Sequence, residues 1–433
     1  FSLLTIELIL NFIIMKKYLL FIFIVFSTYS KAQDTVYARK IIADLCSPKM
    51  AGRGYVNNGD KKAAKYIQKE FVKLGLKKAN SKSYFQPFSF PVNTFPKTVE
   101  VEYNGKKLIA GVDFIINPDC NFFEFEGDIE FILTNEMNDS NHYDFKGFRL
   151  QHVVIDTFIK SNEKAAINWK KYSSDYKKQL IIKLTNDKLT YSSSYQVRNN
   201  CVITLKSTVV SRESKAHFKI KIINKFHQKY TSQNVLGMIE GTTHTDSFIV
   251  FTAHYDHLGK LGNTAYFPGA NDNASGVAMM LNLAKYFSKN PQKYSLLFIA
   301  FSGEETGLIG SQYYVQNPII PLENMSFLIN IDLMGNGAEG VMAVNGTVYK
   351  KQLEWLKNIN DKMNYLPQIK VRGKAANSDH YYFSEAGVPS FFFYLMGNYP
   401  YYHDVFDKPS VLPLTNFSNA FFLFRDFIIR LQN

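Results

Sequence analysis

The chain is poor in cysteine and has no blocks of like charge, and each shortage excludes a class of protein. Only Cys46, Cys120 and Cys201 occur in 433 residues. They are too few and too scattered for a disulfide scaffold or a zinc ribbon. One bridge is compatible with an oxidising compartment and would leave the third thiol over. The net charge is +13, spread along the chain without a like-charged run. No groove-reading motif and no basic stripe interleaved with aromatics accompanies it, so nucleic acid is not an expected partner. The excess charge reads as solvation. Ser275 and Ser302 lack a G-x-S-x-G elbow, which argues against a serine hydrolase.

The apolar run Tyr18–Phe26 is short for a membrane span, which takes roughly 20 residues. It follows Met15-Lys16-Lys17 and precedes Ser30-Lys31-Ala32. A basic start, an apolar centre and a small-residue cleavage site make a signal peptide over 1–33. Met15 is the expected true start, with residues 1–14 as upstream read-through. No Cys stands at the cleavage site to accept a lipid. The expected product is secreted or periplasmic, with no stable membrane association after cleavage. About 400 residues follow, more than one typical domain. A hydrophobic content of 46% against 20% charged suits a globular core.

Residue periodicity changes twice along the chain. Tyr37–Leu45 reads as a short helix and Ala51-Gly52-Arg53-Gly54 as a turn. Lys61–Leu74 puts Ala64, Ile67, Phe71 and Leu74 on one face, with Gly75 placed to cap the end. From Val99 the period becomes two, with Asn104-Gly105 as a hairpin turn. Further β-like runs are Asp128–Leu133, His152–Phe158, Gln179–Leu184, Cys201–Lys206 and His217–Asn224, and Glu163–Lys171 is a possible helix. Residues 99–228 therefore read as an inserted β-rich domain. His142, His152, His217 and His227 lie in it at no ligand-like spacing. After Asn234, strand-like runs Val235–Ile239, Ser247–Ala253, Leu296–Phe301, Phe327–Ile331 and Ser390–Leu395 alternate with helices Ser275–Ser288, Lys350–Met363 and Phe417–Leu431. That alternation predicts an α/β fold, a mostly parallel (mixed) sheet with helices on both faces. Residues 34–98 and 229–433 are expected to form this one discontinuous domain.

The chemistry gathers at the carboxyl ends of these strands, where ligands bind in open α/β sheets. Ser247–Ala253 runs into His254-Tyr255-Asp256-His257. Leu296–Phe301 runs into Ser302-Gly303-Glu304-Glu305, and Phe327–Ile331 into Asp332. Asp272 sits in the loop GANDNASG at a helix start, and His403 follows the last strand. Imidazoles and carboxylates without thiolate suit zinc or a similar divalent ion in hydrolysis. Two His and three carboxylates are about right for two ions roughly 3.5–4 Å apart.

The pieces HYDHLG, GANDNASGV, SGEETGLIGS, INIDLMG, SDHYYF and YYHDVFD, in that order, resemble the zinc-dependent aminopeptidases of peptidase family M28. AGRGYVNNGDKKAAKYIQKEFVKLGL is similar to the family's amino-terminal segment. The inserted region stands where many members carry a protease-associated or apical-type domain. The resemblance implies a zinc aminopeptidase-like fold, peptide substrates and two co-catalytic zinc ions. Asp272 would bridge them. Glu305 and His403 would complete one site, His254 and Asp332 the other. Glu304 would be the general base, and Asp256 would orient His254 through its second ring nitrogen. His257 and Ser378-Asp379-His380 would lie near the site without ligating. Asp404 replaces the Thr that many members carry after the His, which bears on local hydrogen bonding. Phe267, Tyr394 and Tyr399–Tyr402 are candidate aromatic lining. A single-zinc glutaminyl cyclase and a non-catalytic binding protein are the alternatives on the same scaffold.

Overall fold

The computed structural model describes residues 35–79, 82–130, 152–155, 180–211 and 215–433. The expected signal peptide and the expected helix at Glu163–Lys171 lie outside the described residues. Among the described residues no helix is long and apolar enough to cross a membrane.

An eight-stranded mixed sheet forms the frame. Its strands are β1 (Phe85–Thr94), β2 (Lys225–Ile239), β3 (His244–His254), β4 (Tyr294–Phe301), β5 (Met325–Asp332), β6 (Gly340–Val344), β7 (Ile369–Val371) and β8 (Ser390–Met396), in the order β1-β2-β4-β3-β5-β8-β6-β7. The four central strands β4-β3-β5-β8 are mutually parallel, and β1, β2 and β6 pair antiparallel outside them. Strands buried on both faces need uninterrupted apolar runs. Ser295–Phe301 and Phe327–Asp332 are buried at every position. Three strands of this sheet, β1, β6 and β7, are absent from the sequence reading; β6 and β7 are short, with five and three residues, and β1 has its own obstacle. It carries Pro87 and Pro91, which demote a run from strand to edge. It lies at the sheet edge, and its register with β2 breaks between Phe90 and Val92.

Helices cover both faces. α1 (Thr35–Leu45), α2 (Gly59–Lys73), α3 (Gly276–Phe287), α5 (Lys350–Met363) and α7 (Phe417–Leu431) pack on one side, and α4 (Ile309–Gln316) and α6 (His380–Glu385) on the other. α2 ends in a Schellman motif: Leu76 N–H reaches Phe71 O, Gly75 N–H reaches Val72 O, and Gly75 takes φ +78. α3 buries more than the single face that its spacing predicts. Ten of its twelve residues are buried, because α1, α7 and the sheet enclose it.

Residues 99–222 build two four-stranded sheets. One is antiparallel, with Val99–Tyr103, Lys106–Lys107, Phe123–Glu130 and Lys215–Ile222; Asn104 and Gly105 both have positive φ, as its hairpin turn needs. The other joins Phe114–Ile116, Cys201–Lys206, Leu180–Thr185 and His152–Ile155. Their shared core takes in Leu258, Phe267 and Val405, so this region packs directly on loops of the large sheet. The three cysteines are buried and free, with Cys120 and Cys201 sulfurs 3.4 Å apart.

Candidate metal centre

The four central parallel strands each deliver a ligand-type side chain at their carboxyl ends. His254 ends β3 and Asp332 ends β5. Glu304 and Glu305 follow β4 across Gly303, which turns at φ +78. His403 follows β8 and itself has φ +57, uncommon for a residue with a side chain. Asp272 arrives from the irregular turn Ala270–Ser275 that opens α3, where the Asp272–Asn273 peptide is cis.

The two oxygens of Asp272 face different imidazoles. Oδ1 lies 3.3 Å from His254 Nε2, and Oδ2 lies 3.2 Å from His403 Nε2. Asp332 Oδ2 is 3.3 Å from His254 Nε2, and Glu305 Oε2 is 3.1 Å from His403 Nε2. Two triads thus share one carboxylate. On a wider radius of 4.8 Å, one donor atom each of His254, Asp272 and Glu305 form one group, and His254, Glu304 and Asp332 another. The short contacts divide the ligands; the wider groups add that the Glu304 carboxylate faces the His254–Asp332 pair.

Electrostatics shows what this set is suited to hold. Burial, with the neighbouring carboxylates of Glu305, Asp379 and Asp332, pushes Glu304 well above the ordinary range. Asp332 is raised by the same two causes. Burial opposes the charge on Asp272, but hydrogen bonds from His254 and His403 overcome it and hold the group well below its ordinary value. Burial likewise opposes the charge on His403, yet Glu305 and Asp272 outweigh it and raise the imidazole to about 11. Asp332 Oδ1 and His257 Nε2 are buried without a protein partner. Converging acids, two protonated imidazoles and orphaned donor atoms are what divalent cations would resolve, and a nitrogen and oxygen set without thiolate suits zinc. The residues fit two such ions.

The sequence profile of peptidase family M28 matches residues 234–428. This segment belongs to peptidase family M28. Within it the chain is similar to aminopeptidase YwaD of Bacillus subtilis, at 30% identity over 187 residues, which are 42% of this chain and 38% of that protein. The chain thus spans less than half the length of that relative. Over the whole fold it resembles the zinc aminopeptidase BSAP of Bacillus subtilis, with TM-score 0.66, 19% identity, and 92% and 95% of the two chains covered. It also resembles a peptidase M28 precursor from Shewanella amazonensis, with TM-score 0.67, 16% identity, and 93% and 95% covered.

Around these converging side chains, the contacts differ in part from expectation. Asp256 does not orient His254 through its carboxylate, whose Oδ1 is 3.8 Å from Nδ1; the backbone carbonyl of Asp256 stands nearer, at 3.2 Å. The carboxylate instead accepts from Tyr55 Oη at 2.8 Å and from the Glu304 N–H at 3.3 Å. Burial raises it to about 6. His257 lies within the site behind Glu305: it is buried, with Nδ1 2.6 Å from Glu305 Oε1. Ser378 connects to Asp332 at 3.4 Å and accepts from Asn330 at 2.8 Å, while Asp379 and His380 lie buried beside the site. Asp404 caps its own turn by accepting from the Phe406 N–H, and makes no bond to the His403 ring. Of the expected aromatic lining, Phe267 is buried and the Tyr399 hydroxyl is given to Asp407. Tyr402 is the exposed ring, stacked on His403 at 3.9 Å.

Three further residues hold the site without having been assigned a role from sequence. Arg53 is fully buried and donates to the carbonyls of Tyr255, Leu45, Pro268, Gly269 and Asp272. Gly269, at φ +62, leaves it room; a Cβ there would lie 2.5 Å from Arg53 Nη2 and 2.1 Å from Asp272 O. Asp407 accepts from the N–H groups of Asn271 and Asp272. Tyr191, from the inserted region, accepts from His403 Nδ1 through its backbone carbonyl at 3.0 Å. Arg53 and Asp407 stand inside the motifs AGRGY and YYHDVFD. Tyr191 acts through main-chain atoms, which leave no trace in residue type.

Proposed function

We propose that this protein is an exported two-zinc aminopeptidase that removes residues from the amino termini of peptides. The observation that carries the reading is the division of Asp272, one carboxylate oxygen toward His254 and Asp332, the other toward His403 and Glu305. A single-zinc acyltransferase has no use for the second triad. His254, Asp272 and Asp332 would hold one ion, and His403, Asp272 and Glu305 the other. Zinc held there would supply Lewis acidity, polarising the scissile carbonyl and acidifying a water molecule. Glu304 would take a proton from the attacking water and return it to the leaving amine. Its buried, acid-crowded surroundings keep it more basic than an ordinary carboxylate, which suits both transfers. Asp256 fixes the Glu304 backbone by accepting its N–H. Zinc and aminopeptidase activity are what the names of BSAP and YwaD state of those proteins. The leader over 1–33 supports export.

The test is hydrolysis of a panel of amino-acid arylamides and their N-acetylated forms by the purified full chain, with and without chelator. Chelator-sensitive release from the free-amine series alone is expected. Equal release from acetylated substrates would contradict an aminopeptidase. Cyclisation of an amino-terminal Gln peptide without arylamide hydrolysis would establish the cyclase.

A further inference from the structure

We propose that segment 188–194 of the inserted region is a built-in positioning element of the metal centre, acting on His403 through the backbone of Tyr191. The segment exchanges two hydrogen bonds with His403: ring Nδ1 lies 3.0 Å from Tyr191 O, and Tyr191 N–H reaches His403 O at 3.2 Å. A carbonyl can only accept, so Nδ1 donates to it, and Nε2 is the ring atom turned toward Asp272 and Glu305 and free to take a cation there. Tyr191 is held in turn. Its ring is buried and stacks on Phe267 at 4.9 Å and 14°, in the loop that leads to Asp272. On one side of it, Lys188 Nζ donates to the carbonyls of Pro400 and Tyr402, at 2.8 and 2.5 Å. On the other, Ser193 Oγ meets Thr306 Oγ1 at 2.9 Å, next to Glu305, and Ser194 O accepts from Asn93 N–H. The segment therefore grips chain adjoining three ligands, His403, Glu305 and Asp272. The inserted region is part of the centre, and the His403–Glu305 half depends on it more than the His254–Asp332 half.

The proposal rests on the two-ion reading and is tested on the metal-free full chain. Zinc uptake is followed by calorimetry for wild type, Tyr191→Phe, Tyr191→Ala and Lys188→Met, with thermal unfolding of each metal-free form as a control for folding. Loss of a hydrogen-bonded partner behind a metal ligand typically costs 10–100-fold in affinity. Tyr191→Ala and Lys188→Met keep the carbonyl but remove what holds it in place, and are expected to weaken one binding step by up to about that factor and leave the other unchanged. Tyr191→Phe, which keeps the stacked ring, should bind as wild type. Wild-type affinity at both steps in Tyr191→Ala and Lys188→Met, or equal weakening of both steps, would overturn the proposal. Fewer than two ions in wild type would instead overturn the two-ion reading; the single step's response to Tyr191→Ala would still decide whether the segment positions His403.

Discussion

Tyr55 donates its hydroxyl to Asp256 over 2.8 Å and 201 positions of sequence. The bond joins the amino-terminal segment to the loop after β3, and its consequence is felt at Glu304. Asp256 has one oxygen on Tyr55 and the other on the Glu304 N–H. Replacing Tyr55 by Phe removes a buried hydrogen bond to a charged acceptor, worth about 1.5–3 kcal/mol. We expect kcat to fall by about 10–100-fold, with zinc content and KM little changed, since about 1.4 kcal/mol is a decade in rate. Steady-state kinetics beside metal analysis checks this; a parallel loss of zinc would mean that Tyr55 acts on the ligands and not on the base.

Arg53 is a buried cation whose hydrogen-bond partners among the described residues are carbonyls and the Cys46 sulfur, with no carboxylate. Lys has no planar fork and cannot reach these acceptors together. Arg53→Lys should lower the stability of the metal-free chain by about 3 kcal/mol, the scale for stranding several buried acceptors. It should also weaken zinc, because Gly269 and Asp272 lose their anchor. Denaturant unfolding reads the first effect, and a change below about 0.5 kcal/mol, the size of an ordinary surface substitution, would contradict it.

Metal uptake should expel protons. Without metal, burial works against the charge on His403, but Glu305 and Asp272 raise it to about 11, and His254 is raised well above its ordinary value against the same burial. Both imidazoles are therefore protonated at neutral pH and must lose that proton to bind a cation. Zinc affinity should rise with pH, and calorimetry in buffers of different ionisation enthalpy should show more than one proton released per chain. No release would mean that the imidazoles are not the ligands.

His380 gives the metal-free chain an acid limb. It is buried against Phe392, and burial lowers its pKa to about 4. Its charged form is thus favoured in the unfolded chain, where it titrates near 6.5. The stability this group contributes is complete above pH 6.5 and is lost as pH falls through about 4, by about 3 kcal/mol in all. Asp379 next to it has the opposite sign: burial raises it to about 7, so its ionisation weakens the fold as pH rises through that value. Unfolding midpoints for His380→Phe should lack the acid limb and keep the Asp379 limb. An unchanged acid limb would show that other groups carry it.

The central strands of the sheet, and the acids and imidazoles that converge at their ends, are legible because their signals are local. Apolar runs such as Leu296–Phe301 mark strands buried on both faces, and a polar cluster at the end of each marks where the chain leaves the core. What was hidden lies in longer-range relations. Phe85–Thr94 reads poorly as a strand because Pro87 and Pro91 are tolerated only at an edge, and nothing local says that this is one. Asp256 does lie beside His254, but which of its atoms faces the ring depends on the backbone turn after β3. Tyr191 reaches His403 by main-chain atoms across 212 positions, a contact that residue identity does not encode. Arg53 lies in the motif AGRGY, yet its acceptors are carbonyls spread from Leu45 to Asp272.

The most direct test of the central claim is turnover of a free-amine arylamide measured while zinc is titrated into the metal-free chain, in wild type and Glu304→Gln. The account predicts that wild-type turnover climbs until two ions per chain are bound. Glu304→Gln should take up the same two ions and stay 10²–10⁴-fold slower, the usual worth of a general base. Full turnover at one ion, or a Glu304→Gln chain as fast as wild type, would contradict it.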